Sequence, residues 1–238
     1  MGKSHLILIP GLMCDEAVWE HQARGLREIA DITIADHGLL DSLAAMADAI
    51  LQRAPDRFAL AGHSMGGRVA FEVFRRAPER VTAIALMDTA CTPRAAGVAG
   101  AEEAEQRYRL LKKARQDSMR RMGPEWIQRM VHPKRLSDTT LMNAILDMIA
   151  RKTSDIFEAQ ITALLNRPDA RDVLPKIQCS ALVLCGREDA WSVLSHHEEM
   201  AAMIPNGRLA VIENCGHMST MERPEEVTAA MRGWPGLL

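Results

Sequence analysis

Leu60-Ala61-Gly62-His63-Ser64-Met65-Gly66-Gly67-Arg68 joins an apolar run, Phe58 to Ala61, to a helical pattern, Val69 to Phe74. A serine between two glycines at a strand-to-helix turn is the G-x-S-x-G pattern. The glycines have a physical reason. The serine sits on a strained turn, and a side chain at either flank would collide with the strand or helix packed beside it. The turn matches neither G-x-x-x-x-G-K nor G-x-G-x-x-G, so it does not read as a phosphate loop.

Working outward, apolar runs alternate with amphipathic segments of helical length. His5 to Ile9, Asp31 to Ala35, Arg57 to Ala61 and Val81 to Met87 read as strands. Asp15 and Ser42 stand where helix caps belong, before helices reaching about Ile29 and Gln52. The pattern changes after Pro93. Ala101 to Met122, Pro124 to Val131, Ser137 to Arg151 and Ser154 to Leu165 read as four helices, punctuated by Pro124, Pro133 and Pro168. Strand and helix alternate again from Ala181 to Cys185, through Ser195 to Met203, then Arg208 to Ile212 and Pro224 to Met231. This predicts an α/β fold with a mostly parallel sheet of about six strands covered on both faces. Residues 1–92 and 175–238 form the expected core. Residues 93–174 form the expected helical cap subdomain, inserted after the fourth strand over the carboxyl edge of the sheet. The strand near Asp31 to Ala35 is expected at an exposed edge that needs cover or an oligomeric contact.

Composition narrows the function. A chain of 238 residues buries about 70% of its unfolded surface without staples. Formal charge is −2, which gives no electrostatic case for nucleic acid. Cys14, Cys91, Cys179, Cys185 and Cys215 are odd in number and lack C-x-x-C spacing, so they read as reduced thiols in a cytoplasmic protein. No apolar run of membrane-spanning length and no signal-peptide core is seen, so no membrane partner is expected. Neither a cofactor nor a metal is expected, because no H-E-x-x-H or similar ligand spacing occurs. The expected state is a monomer or homodimer.

Serine alone is a weak nucleophile and needs a base, and the base needs an orienting group. Gly186-Arg187-Glu188-Asp189 and Asn214-Cys215-Gly216-His217-Met218 follow later strands, at the same sheet edge as Ser64. The chain order Ser…Asp…His is that of the α/β hydrolases. With Ala77-Pro78-Glu79-Arg80-Val81 and Glu222-Arg223-Pro224-Glu225, these motifs run nearly the length of the chain. The sequence resembles the α/β-hydrolase superfamily, specifically its small, cap-bearing bacterial esterase and lactonase members.

The resemblance implies roles. Ser64 is the expected nucleophile, His217 the base and Asp189 the acid, with Asp88 after the fourth strand as the alternative acid. Backbone N–H groups of Met65 and Leu12 are the expected oxyanion donors. The family's oxyanion loop usually carries His-Gly, whereas this chain reads Pro10-Gly11-Leu12. The expected activity is hydrolysis of a small-molecule carboxylic ester, or of a lactone or thioester. The alternatives are perhydrolase, carbon–carbon hydrolase or hydroxynitrile-lyase chemistry on the same triad, or a non-catalytic ligand-binding protein. Trp126, Trp191, Met122 and Met142 are pocket candidates. With Met119, Met130 and Met148 these two methionines fall at near-helical spacing, which reads as ordinary core between cap and sheet or as an adaptable acyl pocket. Trp19 and His63 are expected to pack beneath the oxyanion loop and the serine turn, His132 to be structural, and His196 and His197 to lie at the surface, with the alternative that one of them lines the pocket. The basic run from Arg107 to Arg121 reads as a solvated face paired with Glu102, Glu103 and Glu105; the sharper reading is a dock for a carboxylate or phosphopantetheine thioester.

Overall fold

The computed structural model describes residues 3–237. Six strands, β1 (Ser4–Ile9), β2 (Ala30–Ile34), β3 (Phe58–His63), β4 (Val81–Met87), β5 (Ser180–Gly186) and β6 (Gly207–Ile212), form one sheet. Its order is β2-β1-β3-β4-β5-β6, and every neighbouring pair is parallel. Parallel strands need crossovers, and helices supply them: α1 (Glu20–Leu26), α2 (Leu43–Arg53), α3 (Met65–Arg76) and α8 (Leu194–Met203), with four more between β4 and β5; α9 (Ser219–Glu222) and α10 (Pro224–Arg232) follow the last strand. The central strand β3 is buried along its whole length, whereas the edge strands β2 and β6 alternate with partly exposed residues. This matches a sheet covered on both faces with open rims. The β2 edge lies where the Asp31 to Ala35 pattern put it.

Strand order reverses direction between β1 and β3, so the loops that leave their carboxyl ends run to opposite sides and open a crevice. Ile9 pairs with Gly62, and His63 pairs with Met87, which itself pairs with Leu184. That register brings the loops after β1, β3, β4 and β5 to one edge.

The helices between β4 and β5 are α4 (Gly97–Gln116), α5 (Met119–Ile127), α6 (Thr139–Ala150) and α7 (Ser154–Leu165). The expected helix from Ala101 to Met122 is broken at Ser118, whose hydroxyl accepts from the Arg121 N–H at 3.2 Å and starts α5. A serine there offers the backbone a cap in place of helix continuation. Pro124 therefore falls inside α5 and does not begin a helix. Asp138 and Thr153 cap α6 and α7 in the same way, accepting from Leu141 and Ile156 N–H groups. Asp15 and Ser42 cap as read from the sequence, but the segment after Asp15 starts as a tight turn, Glu16–Trp19, and α1 ends at Leu26 rather than Ile29.

The two glycines beside Ser64 mark close backbone approaches. A Cβ on Gly62 would lie 2.3 Å from the Gly66 carbonyl oxygen, and one on Gly66 would lie 2.0 Å from that of Ile9. Backbone cannot yield there as a flexible side chain can. Gly66→Ala should therefore destabilise the protein by about 3 kcal/mol, visible as a lower urea midpoint. A change within about 0.5 kcal/mol would contradict this packing.

Candidate active site

Ser64 has φ 55° and ψ −116°, a conformation that L-residues seldom adopt. Three hydrogen bonds hold it there. Its N–H donates to the Met87 carbonyl at 2.8 Å, and its carbonyl accepts from the Gly67 N–H at 3.0 Å and the Thr89 hydroxyl at 2.8 Å. The β4 neighbour thus fixes the turn, and the serine lines a cleft at the sheet edge.

His217, in the loop after β6, has Nε2 at 2.8 Å from Ser64 Oγ and Nδ1 at 2.8 Å from Asp189 Oδ2. Asp189 Oδ1 accepts from the N–H groups of Trp191 at 2.7 Å and Ser192 at 2.8 Å. Those bonds aim Oδ2 at the imidazole, which places the proton on Nδ1 and leaves Nε2 to accept from the serine. Burial alone would lower the His217 pKa. The charge and hydrogen bond of Asp189 outweigh burial and raise it above 6.5. Burial likewise opposes ionisation of Asp189, but His217 and the two backbone donors bring its pKa below 3.8.

Asp88 takes a different place. Its Oδ1 accepts from the Gly186 N–H at 3.1 Å and its Oδ2 from the Ser219 hydroxyl, while His63 Nε2 stands 3.5 Å from Oδ2. It makes no hydrogen bond to the His217 ring among the described residues. Burial, reinforced by the Asp189 charge, holds its carboxyl well above the usual range. His63 is buried between Trp19, whose ring meets it edge-on at 6.3 Å, and the His217 loop, where Nε2 donates to the His217 carbonyl at 2.9 Å.

Leu12 and Met65 line the cleft with Ser64. Met65 opens α3, so its N–H has no partner in the preceding turn. The Leu12 loop closes on itself through the Cys14 N–H and the Gly11 carbonyl, 3.1 Å apart. Two distant side chains brace it. Gln160 Oε1, on α7, accepts from the Met13 N–H at 2.8 Å, and His37 Nε2 lies 3.3 Å from the Pro10 carbonyl. Glu222 ties the histidine loop to the chain just past α5. Its carboxylate accepts from the N–H groups of His132 at 2.8 Å, Gly216 at 3.0 Å and Met218 at 3.3 Å.

The cleft holds about 400 Å³. Trp126 and Trp191 line it, but Met122 and Met142 do not. Met122 is fully buried in the core and Met142 packs partly buried against it. Helical spacing gives a buried face without telling whether core or cleft meets it. His196 lines the cleft. His197 corrects the expectation of a surface residue: it is 0% exposed, and its Nε2 accepts from the Thr89 N–H at 3.0 Å. The basic run is mostly paired across helices. Arg109 and Lys113 reach Glu125 at 2.8 Å, and Arg115 reaches Glu158 at 2.6 Å. Arg107 is buried and faces the cleft. Arg68, Gln160 and the clamp role of Glu222 escaped the sequence reading. Only Gln160 left a sign, as a polar residue amid the apolar face Phe157, Ile161, Leu164.

A profile of the alpha/beta hydrolase family matches residues 6–230. A pimeloyl-[acyl-carrier protein] methyl ester esterase of Nitrosomonas europaea is 24% identical over 93% of this chain and 91% of its own. One from Aromatoleum aromaticum is 26% identical over 95% and 96%. A thermophilic esterase of Thermogutta terrifontis, solved with malate bound, superposes with a TM-score of 0.85 at 28% identity, covering 98% of this chain and 90% of that one.

Three buried histidines give the site a pH signature. Burial pushes the pKa of His37, His63 and His197 each down to about 4. Between about 6.5 and 4 the unfolded chain takes up protons that these rings refuse, so stability falls as pH drops through that window. His217, whose raised pKa acts above 6.5, and the carboxyls of Asp88 and Glu222, raised by burial, work in the opposite direction; inside the window the three rings outnumber the two carboxyls. The urea midpoint should fall from pH 7 to pH 5, and less steeply in His197→Gln; a midpoint that stays level or rises would contradict the burial of these rings.

Proposed function

The chain belongs to the alpha/beta hydrolase family, and from that membership and the site geometry we infer that it is a carboxylic ester hydrolase working through an acyl-Ser64 intermediate. The observation that carries this is the pair of 2.8 Å contacts that set His217 between Ser64 and Asp189. Ser64 Oγ attacks the ester carbonyl carbon as its proton passes to His217 Nε2. The imidazolium is stabilised by Asp189, and the carbonyl oxygen, now negative, is met by the N–H groups of Met65 and Leu12. Collapse breaks the bond to the alkoxide, which leaves with the proton from His217. Water then repeats the sequence on the acyl-serine, releasing the acid and restoring Ser64.

The substrate is a small-molecule ester. Both similar methyl ester esterases cover nearly the whole chain, which favours an ester over a lactone or thioester. Residues 93–174 are read as a cap over the site and 1–92 with 175–238 as the core. No helix among the described residues is long and apolar enough to cross a membrane. The five cysteines, free in the structure, fit a reducing compartment, and the cytoplasm is the proposed location.

Ser64→Ala and His217→Ala should each lower kcat on p-nitrophenyl acetate by about 10⁶, with little further loss in the double variant, because the residues act as a unit. Asp189→Asn should cost roughly 10⁴ by permitting the wrong tautomer. The wild-type rate should rise with pH through one ionisation above 6.5, since only neutral His217 accepts the serine proton. A nearly silent Asp189→Asn beside a crippled Asp88→Asn would reassign the acid.

A further inference from the structure

Beyond the triad, the cleft carries an unbalanced cluster of charge. Glu103, on α4, takes both oxygens' worth of bonds from two arginines. Its Oε1 accepts from Arg107 Nε at 3.0 Å, Arg107 Nη2 at 2.8 Å and Arg167 Nη1 at 2.8 Å, and its Oε2 from Arg167 Nη2 at 2.7 Å. One anion therefore serves two guanidiniums. Arg68, on α3, is a third cation in the field of the same group. Its Nη1 donates to the Thr92 carbonyl at 2.8 Å, and its remaining N–H groups find no acceptor among the described residues. No carboxylate among the described residues pairs with it. Burial and the neighbouring arginines push its pKa down to about 9, which still leaves it charged at neutral pH.

Arg68 is half-buried, and partly withdrawing a guanidinium from water with no anion beside it is costly. Arg68, Glu103, Arg107 and Arg167 all line one cleft with Ser64, together with Glu102 and Glu125. Arg68 follows Ser64 by four residues on α3, so their backbones lie roughly 6 Å apart along the helix. Trp191 closes the opposite side, with Arg107 Cζ 5.2 Å and Arg129 Cζ 5.5 Å from its ring centre. The planar fork of a guanidinium matches a carboxylate in two parallel hydrogen bonds.

We propose that the enzyme acts on esters that carry a carboxylate, with the carboxylate held by Arg68 beside the Glu103–Arg107–Arg167 cluster while the ester carbonyl sits at Ser64. This rests on the acyl-Ser64 reading and assigns its substrate class: half-esters of short dicarboxylic acids.

The test compares monomethyl glutarate and monomethyl adipate with the methyl esters of the corresponding monoamides, which keep the shape and lose the charge. The readout is the ratio of kcat/KM for anion over amide within each protein, which partial misfolding does not change. The wild-type ratio should be about 30 or more. It should fall to about 3 or less in Arg68→Met, recover in part in Arg68→Lys, and stay at the wild-type value in Arg121→Met, an exposed arginine outside the cleft. A wild-type ratio near one, or an equal ratio in Arg68→Met, overturns the proposal. So does Arg68-dependent turnover of an S-acyl phosphopantetheine with the half-esters ignored, which would seat a phosphate at the cluster. If a fluorophosphonate labels Ser64 and p-nitrophenyl acetate is turned over while the ratio is one, only the carboxylate assignment fails. If Ser64 neither labels nor supports turnover, the hydrolase reading fails and takes the proposal with it.

Discussion

An imidazole that must shuttle a proton has to stay at one height, in one tautomer, within reach of one hydroxyl. His217 meets that demand while 2% exposed, with a partner 2.8 Å from each nitrogen. Burial by itself would depress its basicity, so the site depends on the Asp189 charge to restore it. Asp189 keeps that charge because two backbone N–H groups and the imidazole satisfy it. The second carboxylate, Asp88, lies close enough to feel the first, and the two cannot both ionise at low cost. Its partners offset part of that cost: the Gly186 N–H and the Ser219 hydroxyl both donate to it and tie the end of β5 to the segment after His217.

The same economy extends to the helices between β4 and β5. Gln160, on α7, reaches the oxyanion loop, and Glu222 joins the histidine loop to the backbone of His132. Arg151, following α6, makes two hydrogen bonds to Asp15 at 2.7 and 3.0 Å, at the start of the helical turn beyond that loop. The helical block is thereby fastened at several points to the loops that carry the chemistry.

The sheet and the serine turn were legible in the sequence because their constraints are local. Gly62 and Gly66 are required by approaches of about 2 Å to backbone. Buried strands such as Val81 to Met87 announce themselves as apolar runs. The choice between Asp189 and Asp88 was not local. Both follow strands at one edge, and only the turn of each loop decides which side chain faces His217. His196 and His197 are adjacent on α8 and about 100° apart round the helix, so one meets the cleft and the other the core. Met122 and Met142 failed for a related reason, since period shows a buried face but not its partner. Gln160 and Arg68 depend on residues far away in the chain, and no spacing rule reaches them. The break at Ser118 was hidden by helix-forming residues on both sides; one hydroxyl outweighed them.

The central claim is that Ser64 receives the acyl group while the N–H groups of Leu12 and Met65 hold the oxygen. A crystal structure of the enzyme treated with a fluorophosphonate tests it most directly. The account predicts a phosphorus atom bonded to Ser64 Oγ, with its phosphonyl oxygen about 3 Å from the nitrogens of both Leu12 and Met65. An adduct on another residue, or a phosphonyl oxygen turned away from those two nitrogens, would contradict it.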